Sequence, residues 1–205
     1  MDSAIGENEH PEYISSRNQC LSYLEDRFHA AFVASKASTP CYGELTKRHV
    51  SDLLDSYCDC DRQDNNVAPL VLVGASGVGK SCALANWCLR KETRRKQEKE
   101  FLFYHFAGCS RNSTSVGHTL RRLMNALKVH FDLGLAINPS DERLVWELPQ
   151  FLQTAAKKGR LYIIIDGVHR IGNDGESGIR WLPQKYPQNM RVIVSLTIPS
   201  AALGM

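Results

Sequence analysis

Eight residues constrain this chain more than any others. Gly74-Ala-Ser-Gly-Val-Gly-Lys80-Ser81 satisfies the spacing GxxxxGK[ST] in full. An apolar β run, Leu70-Val-Leu-Val73, precedes it, and a helical stretch over residues 79–96 follows. A strand, a glycine loop and a helix in that order are the context this motif needs. Glycines let the backbone curl so that successive N–H groups converge on phosphate oxygens. The helix N-terminus adds partial positive charge at the same point. The spacing therefore predicts that Gly74, Ala75, Ser76, Gly77, Val78 and Gly79 wrap phosphate groups. Lys80 is expected to reach the β- and γ-phosphates and Ser81 to ligate Mg²⁺. Chance produces such a pattern in on the order of 1% of chains of this length.

A phosphate loop of this kind works with an acid at the end of another buried strand. Leu161-Tyr-Ile-Ile-Ile-Asp166 supplies one. The apolar run places Asp166 at the carboxyl edge of a sheet, where open α/β sheets bind ligands. Asp166 is the second expected Mg²⁺ residue, acting through a water. Two further runs, residues 101–106 and 191–196, read as strands. Residues 115–131 carry Val116, Leu120, Leu123, Met124, Leu127 and Phe131 on one helical face. Ser140 opens another helix with an acidic first turn; Pro149 predicts a kink or break in it, and Gly159 its end. Residues 178–187 read as a short helix cut by Pro183 and Pro187. Apolar strands interleaved with helices predict a three-layer α/β P-loop NTPase domain around a parallel sheet.

The first part of the chain reads differently. Residues 11–60 are helical, with Leu21, Leu24, Phe28, Ala31 and Phe32 on one face, a break at residues 37–40, and a second stripe at Val50, Leu53, Leu54 and Tyr57. Residues 1–66 are thus expected to form an N-terminal helical extension and polar linker, and residues 67–205 the P-loop core. The last expected strand ends nine residues before Met205, so a truncated product is expected, with the strand at residues 70–73 left as an open edge that invites self-association.

Other classes are poorly supported. Hydrophobic residues are 43% and charged residues 23%, an ordinary globular balance. No apolar run approaches a membrane span and residues 1–9 do not read as a secretory signal. With no such signal, the odd count of seven cysteines, none in a CxxC pair, reads as free thiols in a reducing, cytoplasmic setting. Cys58-Asp-Cys60 with His49 matches no ordinary zinc spacing. A net charge of +3 does not argue for nucleic acid. The basic stretch of residues 90–96 reads as the solvated end of a helix. His105 and His118, flanking the loop at residues 108–117, read as satisfied or exposed histidines. Trp87, Trp146 and Trp181 read as packing residues.

With both nucleotide motifs placed, residues 68–200 resemble the NACHT-type NTPase module of the STAND class, in the nephrocystin-3, tetratricopeptide-repeat and NACHT–WD-repeat group. The resemblance rests on residues 71–81, on Tyr104-His-Phe-Ala-Gly-Cys-Ser110 with Ser113-Thr-Ser115, on Gly159-Arg-Leu-Tyr-Ile-Ile-Ile-Asp-Gly167, and on Trp181-Leu-Pro183 leading to Arg191-Val-Ile-Val-Ser195. It implies binding of ATP, or GTP, with Mg²⁺ as a switch that controls assembly with protein partners. It also implies a γ-phosphate sensor role for Ser195, and a lid, winged helix and repeat array that 205 residues cannot hold. The chain departs from the family where His169 and Arg170 occupy positions at which one or two acids are expected. Slow or absent hydrolysis follows as an expectation. A nucleotide-independent interaction fragment is the alternative, and a small P-loop kinase a weaker one, because no acceptor-site signature is present.

Overall fold

The computed structural model describes residues 11–38, 44–60, 68–94, 100–172 and 179–199, and the side chains of the first two segments from residues 22 and 48 onward. The elements in chain order are α1 (Pro11–Ser38), α2 (Glu44–Asp59), β1 (Leu70–Gly74), α3 (Lys80–Arg94), β2 (Glu100–Phe106), α4 (Val116–Phe131), α5 (Asp141–Ala156), β3 (Arg160–Asp166) and β4 (Met190–Thr197), with a 3-10 turn at Val168–Arg170. The four strands form one sheet in the order β1-β4-β3-β2, all neighbours parallel. The registers align Ile164 with Ile193, Leu72 with Ser195, and Phe106 with Asp166.

Side-chain alternation along each strand builds two cores. Leu70, Leu72, Tyr162, Ile164 and Ile193 face α1, α2 and α3, where Val33, Leu54, Cys58, Leu84, Trp87 and Cys88 meet them. Leu161, Ile163, Ile165, Val192 and Val194 face α4 and α5, where Leu120, Met124, Leu127, Leu144, Leu148 and Leu152 meet them. Burying each such side chain contributes about 1.5–3 kcal/mol, which is why the near-continuous apolar runs settle as central parallel strands. The result is a three-layer α/β P-loop domain with the helical N-terminal segment packed against one layer.

The helix ends are closed locally. Ser115 caps α4, its Oγ accepting from the His118 N–H at 3.4 Å. At the other end of α4, Lys158 Nζ donates to the Phe131 carbonyl at 2.6 Å and to that of Asp132 at 3.0 Å, satisfying orphan helix carbonyls. Ser140 sits at the N-cap of α5 but makes no side-chain cap bond; the first-turn acid Asp141 instead pairs with Arg121.

Four expectations are corrected. Of the kink or break expected at Pro149, the break does not occur: helix α5 runs through that residue. A proline deletes one backbone bond, and the buried Leu144, Leu148, Phe151 and Leu152 on either side hold the helix together. Residues 179–189 contain no helix; turns there carry Trp181 and Tyr186 into the core, because Pro183 and Pro187 remove donors and push the preceding residues away from helical angles. Trp146 is 84% exposed, while Trp87 and Trp181 are buried. Finally, α1 turns a different face inward. Of the expected stripe, Leu24, Phe28 and Ala31 are exposed, Phe32 packs inward, and the Leu21 side chain lies outside the described residues; the inward face is Ser22, Glu25, His29, Phe32, Val33 and Lys36. Polar partners on the core, described below, outweigh the apolar stripe.

Among the described residues β1 has a neighbour on one side only. Val71 and Val73 point to the α4–α5 layer, which does not reach them, and both remain about half exposed. With Val194, Leu196 and Tyr186, Val71 lines an open apolar groove of about 710 Å³.

Candidate functional site

The phosphate loop closes on itself in a way its residue types dictate. Gly77 and Gly79 adopt φ of +80° and +97°, left-handed angles that residues with a Cβ rarely tolerate. They turn the chain so that α3 begins at Lys80. The Lys80 ammonium folds back over the loop, donating to the carbonyls of Gly74 at 2.7 Å and Ala75 at 2.8 Å. Ser76, Gly77, Gly79, Lys80 and Ser81 all line one cavity of about 290 Å³. Val78 is exposed on the outer side of the loop.

Asp166, at the carboxyl end of β3, forms the opposite wall of that cavity. It is 6% exposed. Ser81 Oγ donates to its Oδ2 at 2.6 Å, and Ser195 Oγ donates to its Oδ1 at 2.5 Å. Ser195 Oγ in turn accepts from the Gly167 N–H at 2.8 Å. The carboxylate is thus oriented by hydroxyls from α3 and β4, through charge-assisted hydrogen bonds. A hydroxyl and a carboxylate held this close are hard oxygen donors of the kind Mg²⁺ accepts through one or two protein groups. The residues therefore fit Mg²⁺, which when bound would neutralise phosphate charge between them. Ser195 lies on the cavity, but its hydroxyl is committed to Asp166.

The 3-10 turn after β3 places His169 and Arg170 at the cavity. His169 Nδ1 accepts from the Thr197 N–H at 3.4 Å. Burial, then the nearby Arg170 and Lys80 charges, hold the imidazole below its ordinary basicity, against an opposing pull from Asp166. Its accepting nitrogen is engaged, which leaves it poorly suited to take a proton from water. Arg170 Nη1 donates to the Ala107 carbonyl at 2.8 Å. Gly108, at φ +90°, makes room for it: a Cβ there would overlap the guanidinium. Arg170 cannot act as a base.

Lys36, from the end of α1, also lines the cavity. No sequence motif points to it, because it lies 38 positions before Gly74 and outside any spacing rule. Thr197 was likewise silent in the sequence, whereas Gly167, left-handed in the structure, closes one of the segments that carry the resemblance.

A second polar cluster joins α1 to the turn after β2. His29 Nδ1 accepts from the Phe106 N–H at 3.1 Å, with Cys109 Sγ at the same distance. His105 Nε2 donates to the Ser113 carbonyl at 2.7 Å, and its Nδ1 accepts from Arg122 Nη1 at 3.3 Å. Arg122 Nε donates to Asp26 at 2.6 Å, and Ser110 Oγ to Glu25 at 2.6 Å. His105 and His118 do not line the phosphate cavity; the first is buried in this cluster and the second is exposed. Of the basic stretch, Arg90 pairs with Asp55 and Lys91 with Glu100, while residues 95 and 96 lie outside the described residues. Cys58 is buried in the core, its thiol pushed up to about 12 by burial, whereas Cys60 is exposed.

A parallel sheet with a glycine loop between β1 and α3, and an acid closing β3 beneath it, defines a P-loop NTPase fold. The AAA ATPase domain family matches residues 47–195, and the chain belongs to that family. It is 30% identical to nephrocystin-3 of Mus musculus over 139 residues, which is 64% of this chain and 10% of that protein. It is 26% identical over 167 residues to a TPR repeat-containing protein of Dictyostelium discoideum, covering 62% and 10%. It is 28% identical over 137 residues to telomerase protein component 1 of Mus musculus, covering 63% and 5%. The chain thus spans about a tenth or less of each of these relatives. No helix among the described residues is long and apolar enough to cross a membrane.

Proposed function

We propose that this chain binds Mg²⁺-ATP, with GTP the second choice, as the NACHT-type switch module of a longer STAND-class protein, and that it hydrolyses the nucleotide slowly or not at all. The observation that carries the reading is the 2.6 Å contact between Ser81 and Asp166. Two oxygen donors 85 residues apart in sequence meet on the wall of the cavity that the phosphate loop encloses. In this reading the backbone of residues 74–79 wraps the phosphates and Lys80 leaves its own loop carbonyls for phosphate oxygens. Ser81 and Asp166 hold the metal, and Ser195 fixes Asp166 while standing near the terminal phosphate. The ATPase family supports ATP over GTP. Residues 1–66 act as a helical extension on the core of residues 67–205.

Slow turnover follows from the cavity's base-poor wall. In-line attack needs a positioned water and a group to orient it. His169 has its accepting nitrogen engaged and Arg170 offers only donors. A state that persists suits a switch, and matching a tenth or less of each relative, one of them a TPR repeat-containing protein and another a telomerase protein component, suits a module within a larger cytoplasmic assembly of protein partners. The open β1 edge supports self-association as one such contact.

Calorimetric titration of the full chain with Mg²⁺-ATP tests the binding. Lys80→Ala should weaken it by about a hundredfold or more, because a phosphate charge loses its nearest cation. Equal affinity for wild type and Lys80→Ala would favour the nucleotide-independent interaction fragment instead.

A further inference from the structure

The inward face of α1 ends in a cation at the phosphate cavity. Glu25, His29, Phe32 and Lys36 follow one another at helical spacing on that face. Glu25 and His29 are tied to the turn after β2 through Ser110 and the Phe106 N–H. The Phe32 ring lies 5.0 Å from that of Phe106, at the carboxyl end of β2. Lys36 Nζ sits 5.5 Å from the centre of the Phe32 ring. A helix anchored at three successive turns therefore delivers Lys36 about 16 Å beyond Glu25, given a rise of about 1.5 Å per residue.

The place it reaches is specific. Lys36 lines the same cavity as Ser81 and Asp166, and among the described residues α1 contributes no other to it. Cys82, next to Ser81 on the first turn of α3, also lines it, and α1 packs along α3. Lys36 thus shares one cavity with the metal residues, whose place is beside the terminal phosphate of a bound triphosphate. Among the described residues it forms no ion pair. A half-buried ammonium that rests over the Phe32 ring, with no carboxylate partner among the described residues, lines a cavity that already holds Lys80 and Arg170; a polyanion there gives the three cations a common partner.

We propose that Lys36 contacts the terminal phosphate of a bound nucleoside triphosphate, so that α1 reads whether that phosphate is present. This rests on the nucleotide-binding reading above. Contact with the γ-phosphate ties α1 more firmly to the core in the triphosphate state, and by linkage a firmly docked α1 favours triphosphate over diphosphate. The segment before the phosphate loop then becomes a reporter of nucleotide state.

The test is calorimetry on the full chain with Mg²⁺-ATP and Mg²⁺-ADP, using wild type, Lys36→Gln, Lys36→Arg and Lys80→Ala. Lys36→Gln should lose about tenfold in ATP affinity, the size of one charge-assisted contact, and less than about threefold in ADP affinity. Lys36→Arg should retain ATP affinity within about threefold, since the charge is kept. Lys80→Ala should weaken both nucleotides. If Lys36→Gln binds both nucleotides like wild type while Lys80→Ala binds neither, the proposal falls and the nucleotide site stands. If Lys36→Gln weakens ATP and ADP equally, its role is in docking α1 and the proposal is again overturned. If wild type binds no nucleotide, the site itself fails and this inference goes with it.

Discussion

Two polar clusters sit at the carboxyl end of the sheet, and they are built on opposite plans. Around His29, His105 and Arg122 every charge and nearly every polar atom is answered by another protein group: Asp26, the Tyr104 and Ser113 carbonyls, the Phe106 N–H. Around the phosphate loop, Lys36, Lys80 and Arg170 face a cavity whose lining carries one carboxylate, Asp166. The difference teaches how to separate a joint from a site. Buried polar groups that satisfy one another fix geometry. Buried or half-buried cations in excess of their acids call for an anion from outside. The closed cluster fixes α1, and the open one is the site we propose for a ligand.

The comparison is broken most strongly by acid. Both histidines of the closed cluster are held neutral. His29 is lowered by burial first, then by the Arg122 and His105 charges; His105 is held down to about 3 by burial and Arg122. The accepting Nδ1 of each ring meets an N–H donor, so a proton there has no partner. In the unfolded chain both take up protons near their ordinary value of about 6.5. The unfolded state then binds more protons, and stability falls as pH drops below about 6.5. By pH 5 the loss should reach about 2 kcal/mol per histidine, about 4 kcal/mol for the pair. Urea midpoints at pH 7.5 and pH 5 measure it, and His29→Gln should roughly halve this part of the difference. A pH-independent midpoint would mean that the rings titrate in the folded chain as they do in the unfolded one.

Removing the cation at the centre of the joint is the next largest effect. Arg122 bonds Asp26, the Tyr104 carbonyl and His105, and its guanidinium lies 4.4 Å from the Phe103 ring centre. Arg122→Ala should cost about 2–3 kcal/mol, chiefly through an unanswered buried carbonyl and lost packing. Asp26 is half exposed and regains water, which keeps the cost below that of a fully buried pair. Thermal melting checks it. A change under about 0.5 kcal/mol would make the joint incidental to the fold.

The smallest effect sharpens the open cluster. Wild-type phosphate release should fall well below roughly 1 per second, the lower end of ordinary enzyme turnover. His169→Asp or Arg170→Glu, which puts a carboxylate on the cavity wall, should raise it about tenfold, or about 1.4 kcal/mol of barrier. Steady-state release by the three proteins decides this, and rapid wild-type turnover would show that the wall without an acid is no obstacle.

Much of this molecule is local, and what is local was legible. The phosphate loop is made by contiguous backbone, so glycines, a lysine and a serine at set spacing define it before any packing is known. Asp166 was found because an apolar run that must be buried carries its last residue to the sheet edge. The helical faces of α4 were legible for the same reason, with Leu120, Leu123, Met124, Leu127 and Phe131 all buried. What escaped depended on which surfaces meet. Periodicity chose Leu24 and Phe28 as the inner face of α1, yet Glu25 and His29 turn inward because their partners, Ser110 and the Phe106 N–H, lie about eighty residues away. That rotation also carries Lys36 to the cavity. No spacing in a single sequence encodes it, because the choice between two faces of a helix is made by the surface it packs on, and that surface exists only when β2, α3 and α4 have assembled.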